Sequence, residues 1–248
     1  MNKMKILVVG GVHGNEQTGI ALARVFIADK DARINGLVVN REAVRKKVRF
    51  LETDLNRSFG VLCPMSFEER LARKQILRLK KFGLVLDVHN TKASGTTCAI
   101  TVQEPNELQL RVATHLGFSK LVVMPPGGSL ISVVPQRSLS VEIAEGDRVM
   151  YPEDELVDKI RTIEISGLDL PRVDVYMYVG KVMRKTLLRL GIKYSSLRNF
   201  APLTSQQKKK LGLKQSVVVT PIFFKKYRME EVALTLIERL PGKIVNNQ

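Results

Sequence analysis

The chain has 248 residues, of which 44% are hydrophobic and 26% are charged, as in an ordinary globular protein. This length suffices for one large domain or for one domain with a small addition. No apolar run reaches the length of a membrane span, and the first one is too short for a signal-peptide core. Two cysteines, Cys63 and Cys98, form neither a disulfide framework nor a CxxC metal pair. Together these features predict a cytoplasmic protein.

The formal net charge of +16 is concentrated towards the C-terminus. Residues 166–248 hold 16 Lys and Arg against 5 Asp and Glu, whereas residues 1–165 hold 24 against 19. A basic solvent-exposed surface explains this excess, and so does attraction to an anionic partner such as nucleic acid or another anionic surface. The segment lacks the interleaved aromatic pattern of an RNA-binding motif, and the chain has no Trp, so nucleic acid is the less favoured partner.

Strand and helix signals alternate through the first two thirds of the chain. Ser66 and Glu69 form a capping box at the start of one helix. A polar, arginine-rich stretch at 41–64 has no clear period, and long connections of this kind in compact domains are usually functional. The predicted strands are 4–11, 34–40, 83–91, 96–102, 119–126 and 137–145, and the predicted helices are 15–29, 66–83, 104–117 and 152–166.

This alternation predicts an α/β domain over residues 1–167, with a largely parallel or mixed sheet. After Gly167, runs such as "RVDVYMYVGKVM" and "QSVVVTPIFF" alternate like strands and are separated by turn residues and lysines. They predict a small β-rich domain over residues 168–248. Within it, "RMEEVALTLIERL" (228–240) has the pattern of a helix.

Polar residues at the ends of predicted strands are candidates for a site, because open α/β sheets bind ligands beyond the carboxyl ends of their strands. His13, Glu16 and His89 make a His₂Glu set, the ligand set of catalytic zinc in thermolysin and carboxypeptidase A. Three ligands leave one position open, where zinc can polarise a carbonyl and lower the pKa of water to about 7. Glu142 is the candidate proton acceptor. Asp87, two residues before His89 on a strand, is a candidate hydrogen-bond partner of that histidine.

The same residues can also be explained as ordinary structural residues with no role in metal binding or catalysis. His13 is then an ordinary loop residue, and Glu142 is a buried carboxylate paired with Arg137. Asn56 and Arg57 then only cap a turn. The local patterns leave both interpretations open.

Four segments in this order, "GGVHGNEQTG", "RFLETDLNR", "DVHNT" and "SVEIAEG", resemble the aspartoacylase and succinylglutamate desuccinylase family of the zinc carboxypeptidase superfamily. The pattern HGNExxG is specific, and the other segments follow it in the family's order. The resemblance implies a zinc-carboxypeptidase-like mixed sheet flanked by helices, followed by a small β-rich C-terminal domain.

The resemblance also implies a reaction. His13, Glu16 and His89 would bind one Zn²⁺ per chain, and the chain would be a zinc-dependent hydrolase of carbon–nitrogen bonds. Its substrate would be a small, carboxylate-bearing N-acyl amino acid, cleaved by metal-activated water. More distant relatives remove a C-terminal residue from a peptide, so a metallocarboxypeptidase acting on short or modified peptides is an alternative. A nucleic-acid or anionic-surface binding protein on a repurposed fold is another, supported only by the basic C-terminal third.

Four further residues receive roles from the resemblance. Arg49 would face the scissile carbonyl and stabilise its oxyanion, and Glu142 would be the general acid/base. Asn56 and Arg57 would bind a carboxylate of the substrate, for which the planar fork of an arginine is well suited.

Overall fold

Nine strands form one sheet in the computed structural model of the protein, which describes residues 4–164, 172–223 and 232–240. The strands are β1 (Ile6–Gly10), β2 (Ile34–Val38), β3 (Leu84–Thr91), β4 (Cys98–Thr101), β5 (Lys120–Val123), β6 (Ser138–Ala144), β7 (Asp174–Met183), β8 (Val219–Ile222) and β9 (Val232–Arg239). Their order across the sheet is β2-β1-β3-β6-β4-β5-β7-β9-β8.

The sheet is mixed, as predicted. The β2-β1-β3-β6 pairs and the β4-β5-β7 pairs are parallel, whereas β6 pairs with β4, β7 with β9 and β9 with β8 in antiparallel fashion. The helices are α1 (Gln17–Ala28), α2 (Arg41–Lys46), α3 (Phe67–Leu79), α4 (Glu107–His115), α5 (Glu153–Arg161), α6 (Arg184–Arg189) and α7 (Ser205–Lys210). Each of these helices falls short of the length and apolar character needed to cross a membrane.

Helices cover both faces of the sheet. On one face, α1, α4 and α5 bury side chains such as Leu22 and Phe26 against β1, β3 and β6. On the other face, α3 and two short 3₁₀ helices, Leu55–Arg57 and Leu130–Val133, pack against β1, β3 and β4. Each fully buried Leu or Phe contributes about 1.5–3 kcal/mol of transfer free energy. The sheet therefore sits between two apolar layers, and its strand ends are held in fixed positions.

The C-terminal part of the chain extends the same sheet. β7 pairs in parallel with β5, and β9 and β8 follow at the far edge. A separate apolar cluster is formed by residues of these strands and of the helix α6, and it includes Val182, Leu187, Leu203 and Leu234. The predicted boundary at residue 167 falls outside the described residues, and the division into two domains stays a prediction.

Two of the predicted elements differ in the structure. The helix predicted over 228–240 is wrong, because residues 232–239 form strand β9 and 228–231 lie outside the described residues. β9 is buried on both faces, so its apolar run is nearly continuous and does not show the alternation of a half-buried strand. The stretch 41–64, predicted without regular structure, contains α2 and the 3₁₀ helix Leu55–Arg57.

Gly19 lets α1 lie directly against β3. A Cβ atom at Gly19 would be 2.1 Å from the carbonyl oxygen of Val88, a distance that no pair of unbonded atoms tolerates. Val88 immediately precedes His89, and Gly19 follows Glu16 by three residues. The glycine at the end of HGNExxG therefore sets the distance between the two chain segments that carry the candidate ligands.

Gly19→Ala is expected to lower the free energy of unfolding by about 1–3 kcal/mol or more, because the added methyl group forces α1 away from β3. Chemical denaturation measures this change. Gly146→Ala is the matched control, because a Cβ there would meet only the Ser94 hydroxyl at 3.8 Å. Equal stability losses in the two variants would contradict the close-approach explanation.

Candidate metal centre

Three side chains from two chain segments meet at the carboxyl end of the sheet. His13 and Glu16 lie in the turn between β1 and α1, and His89 lies near the end of β3. All three are buried, and each offers one ligand atom within 4.8 Å of the others. The structure thus brings together the three residues that were predicted from the sequence as metal ligands.

Glu16 lies between the two histidines. Its Oε1 atom is 2.8 Å from Nδ1 of His13, and its Oε2 atom is 2.8 Å from Nδ1 of His89. Burial alone would raise the pKa of Glu16, but the charges and hydrogen bonds of His89 and His13 hold that pKa well below its ordinary value. The carboxylate is therefore ionised and placed between two imidazole rings.

A second carboxylate holds the far nitrogen of each histidine. Nε2 of His13 is 2.9 Å from Oδ1 of Asp54, and Nε2 of His89 is 2.9 Å from Oδ2 of Asp87. A metal bound at Nδ1 would take the place of the hydrogen bond to Glu16, while the Nε2–H bond to the outer carboxylate keeps the ring in position, an arrangement common around protein metal ions. The hydrogen-bond partner predicted for His89 is in place.

The charge state of His89 follows from these contacts. Burial alone would lower the pKa of His89, but Asp87 and Glu16 together raise it well above its ordinary value. Burial likewise opposes ionisation of Asp54, yet His13 and the Arg49 guanidinium hold its pKa well below the usual range. The centre is therefore a buried network of opposite charges rather than a set of neutral polar groups.

The donor set fits a divalent transition metal. Two imidazole nitrogens and one carboxylate oxygen are the donors that zinc accepts in open, catalytic sites. The supporting carboxylates Asp54 and Asp87 fix the ring orientations that such binding requires. His13, Glu16 and His89 are therefore the residues that would hold the ion.

Arg49 borders the metal centre. Its Nη2 atom is 3.1 Å from Oδ2 of Asp54, and its Nη1 atom is 3.6 Å from Oε1 of Glu16. Its carbonyl oxygen accepts a hydrogen bond of 3.1 Å from the backbone N–H of Gly14. Gly14 itself lies so close to Ala43 that a Cβ would be 2.1 Å from a backbone carbon. The loop with Arg49 is thus fastened to the turn with His13 by backbone contacts.

Glu68 organises the rest of that loop. Its carboxylate is fully buried and accepts hydrogen bonds from the backbone N–H groups of Leu51, Glu52 and Thr53 at 2.7–3.2 Å. It also accepts one from the side chain of Asn40 at 3.1 Å. Burial alone would raise the pKa of Glu68, but these four donors lower it. A single carboxylate on α3 therefore supports the segment between Arg49 and Asp54.

Asn56 and Arg57 follow in a 3₁₀ turn, and both line a cavity of about 160 Å³. Oδ1 of Asn56 accepts a hydrogen bond of 3.0 Å from the backbone of Leu130, so its NH₂ group is the part that can donate to a ligand. Arg57 donates from Nη1 to the Asn56 carbonyl at 2.7 Å. Asp54 caps this turn by accepting from the Asn56 N–H at 2.9 Å. The turn therefore presents two donor side chains to the cavity.

Glu142 lines the same cavity from β6. It lies opposite His89 in the parallel register of β3 and β6, so the two side chains share one face of the sheet. Glu142 is 7% exposed. Arg137, its suggested partner, instead donates to the backbone carbonyl of Lys80 at 2.9 Å. The polar residues that line the cavity include Asn56, Arg57, Asp87, Ser140, Glu142 and Lys181.

Asp87 lies between the cavity and the candidate metal centre. Its side chain lines the cavity and also accepts a hydrogen bond from His89, one of the candidate ligands. Three residues of this region, Asp54, Glu68 and Lys181, were not predicted from the sequence. Asp54 lies 41 residues from His13, and Glu68 lies in an ordinary capped helix. The DLNR motif contains Asp54 and was the one signal that could have led to it.

A sequence profile of the succinylglutamate desuccinylase/aspartoacylase catalytic domain matches residues 2–126, half of the chain. The chain belongs to this family. The match ends before β6, so it includes the candidate ligands and the loop at 49–57 but not Glu142.

Two named relatives are similar to this chain in sequence. An N-acyl-aromatic-L-amino acid amidohydrolase (carboxylate-forming) of Xenopus tropicalis is 35% identical over 193 residues, which are 66% of this chain and 62% of the relative. A protein of Trichodesmium erythraeum (strain IMS101) named "Probable aspartoacylase" is 34% identical over 129 residues, 45% of this chain and 43% of the relative. The alignments thus span about half the length of these relatives.

The succinylglutamate desuccinylase of Chromobacterium violaceum has the same fold. Its structure superposes with a TM-score of 0.74 and covers 97% of this chain and 86% of its own, at 17% identity. The likeness extends over the C-terminal strands, so the β-rich extension of the sheet belongs to the shared fold.

Glu68→Gln is expected to destabilise the protein, because an amide NH₂ in place of one carboxylate oxygen leaves buried backbone N–H groups without an acceptor. Each such donor costs about 1–3 kcal/mol, which chemical denaturation resolves. The neighbouring Glu69→Gln is the matched control, because glutamine also completes a capping box. A Glu68→Gln protein as stable as the Glu69→Gln protein would show that Glu68 does not support the loop.

Proposed function

We propose that this chain is a zinc-dependent amidohydrolase that cleaves the amide bond of a small, carboxylate-bearing N-acyl amino acid. The observation that carries the proposal is the placement of Glu142 beside the three-ligand centre. His13, Glu16 and His89 offer metal donors, and Glu142 lies on the adjacent strand in register with His89. The names of the relatives, which are aspartoacylase and amidohydrolase, support the same reaction class.

When bound, a divalent ion at this centre polarises a carbonyl group and lowers the pKa of water. Glu142 accepts a proton from the attacking water and later delivers it to the departing amine, as the C–N bond breaks and the new carboxylate forms. The guanidinium of Arg49 donates to the carbonyl oxygen as negative charge develops on it. These roles need one general base and one cation on the same side of the sheet, and Glu142 and Arg49 are suited to them.

Asn56 and Arg57 bind the free carboxylate of the amino acid. Arg57 supplies a planar pair of donors, and the Asn56 amide adds a third. The cavity of about 160 Å³ is smaller than the roughly 300–1,000 Å³ of typical drug-sized ligand pockets, which favours a small substrate over a long peptide. A hydrolysis screen over N-acetyl and N-succinyl amino acids and dipeptides tests the proposal. Turnover of dipeptides alone would favour a metallocarboxypeptidase instead.

His89→Ala is expected to lose the bound metal and the hydrolytic activity while it stays folded, because the apolar layers of the sheet do not depend on the ion. Metal content is measured by inductively coupled plasma mass spectrometry, and folding by circular dichroism. Wild type should hold one zinc per chain. His115→Ala is the control, because His115 bonds to Lys159 and Thr162 between two helices. Stoichiometric zinc in the His89→Ala protein would refute the ligand assignment.

Glu142→Gln is expected to bind zinc like wild type and to lose about 10²–10⁴-fold in kcat, the usual contribution of general acid–base catalysis. Steady-state kinetics on the best substrate of the screen measure the loss, and metal analysis confirms that the centre is intact. A kcat within threefold of wild type would assign the proton transfer to another group.

A further inference from the structure

The helix α1 begins without a cap from its own first residue. Glu16 occupies the N-cap position with an extended backbone, but its side chain caps none of the helix residues Gln17–Ala28, all of which the structure describes. Both of its carboxylate oxygens instead face His13 and His89. An N-cap side chain ordinarily accepts from the backbone N–H two or three residues further on, and the first of these belongs to Thr18. Another residue therefore has to accept from this donor.

Asn90 caps α1 in place of Glu16. Its Oδ1 atom accepts a hydrogen bond of 2.9 Å from the backbone N–H of Thr18, and its Nδ2 atom donates one of 2.9 Å to Oγ1 of the same residue. Both side chains are buried, and a buried polar group that loses its hydrogen-bond partner is costly. Because two bonds join the same two residues, they fix direction as well as distance. The first turn of α1 is thereby fastened to the end of β3.

The two faces of β3 hold the same turn in two ways. Consecutive residues of a strand point to opposite faces, so Asn90 and His89 leave β3 on opposite sides. Asn90 points, like Val88, into the layer that α1 covers. On one face Asn90 bonds to Thr18, and on the other His89 bonds to Glu16, two residues earlier in the chain. The position of Glu16 is therefore tied to β3 from both sides.

We infer that Asn90 is a positioning residue of the metal centre. By satisfying the N–H of Thr18, it leaves the carboxylate of Glu16 unused for capping and directed at the two histidines, where it can bind a metal ion. Asn90 acts through Glu16 and contributes no ligand atom of its own. Without Asn90, the buried N–H of Thr18 lacks its acceptor, and Glu16 is the residue at the cap position that can turn towards it. The inference rests on the metal-ligand assignment of the proposed function.

The zinc affinity of the full-length protein tests the inference. Zinc-loaded protein is equilibrated with a series of chelator concentrations, and the metal that stays bound is measured. The variant is Asn90→Ala, and Asn106→Ala is the matched control. Asn106 caps α4, where it accepts from the N–H of Gln109 at 3.0 Å and donates to the carbonyl of Gln136 at 2.6 Å. Both variants lose the same kind of helix cap, but only Asn90 directly follows a candidate ligand in the chain.

Asn90→Ala should raise the dissociation constant for zinc about 10- to 100-fold, the usual loss when a residue that orients a metal ligand is removed. Asn106→Ala should bind zinc like wild type, although both variants unfold at a lower denaturant concentration. The visible spectrum of bound cobalt(II), which depends on the coordination geometry, should change in Asn90→Ala and stay unchanged in Asn106→Ala. Wild-type zinc affinity in Asn90→Ala, or an equal loss in the two variants, would overturn the inference.

Two substitutions of Thr18 decide the question if Asn90→Ala does not fold. Thr18→Val removes the hydroxyl that accepts from Asn90 and keeps the branched shape of the side chain, whereas Thr18→Ser keeps the hydroxyl. Thr18→Val should bind zinc more weakly than wild type, and Thr18→Ser should retain the wild-type affinity. The same zinc affinity in both variants would also count as a refutation.

Hydrolysis of N-acetyl and N-succinyl amino acids, measured on the same proteins, separates this inference from the proposed function. A zinc affinity that depends on Asn90, in a wild type that hydrolyses none of these compounds, would support the positioning role and refute the hydrolase. Hydrolysis by wild type together with an unchanged zinc affinity in Asn90→Ala would support the hydrolase and refute the positioning role.

Discussion

A buried carboxylate between two imidazoles is the interaction on which the site depends. Each oxygen of Glu16 faces one histidine at 2.8 Å, and His89 lies 73 residues from Glu16 in the chain. Burying an ionised carboxylate is costly unless it is paired and hydrogen-bonded. The turn after β1 and the end of β3 must therefore stay together, and Gly19 permits this by letting α1 approach β3. Asp54 and Asp87 then supply the outer partners that the histidines need.

The local parts of this arrangement could be predicted from the sequence. His13 and Glu16 are three residues apart, and the rule that ligands bind beyond strand ends adds His89 and Glu142 as candidates. The family resemblance favoured a site over ordinary polar residues. The α/β class and most helix positions also followed from apolar periodicity and capping signals, and the mixed sheet was implied by the family resemblance. These signals depend on residues close together in the sequence, so each of them describes one helix or strand at a time. The roles of the site residues stay predictions, which the proposed variants test.

The other parts of the site and of the sheet depend on contacts between residues far apart in the sequence, which the hydrophobic periodicity of single elements does not predict. Asp54 lies 41 residues from His13 in the chain, with α1, β2 and α2 between them. The loop before Asp54 is held by Glu68, which in the sequence is only an acidic residue in the first turn of a helix. β9 was taken for a helix because both of its faces are buried. The direction of Lys181 depends on one bulged residue of β7, and a bulge is visible only once the partner strand is known.

The basic C-terminal third gains a more specific interpretation from the structure. The sequence left a choice between a solvated surface and an anionic partner. Lys181 lines the cavity beside the candidate metal centre, and residues 175–223, in which it lies, hold ten Lys and Arg and no Asp or Glu, so that the field of this segment is positive. A field of this sign raises the encounter rate of small anions, and salt weakens it over a Debye length of about 8 Å at physiological ionic strength. Binding of nucleic acid through the same segment stays a separate prediction.

The pairing of β5 with β7 has a consequence for how this chain can be divided. Leu121 and Val122 of β5 are fully buried, and β7 occupies the hydrogen-bonding edge beside them. A fragment that ended after α5 would expose that edge as a row of unpaired backbone groups next to apolar side chains. Such edges recruit strands from other molecules and lead to aggregation. The C-terminal strands therefore also protect this edge of the sheet from pairing with other molecules.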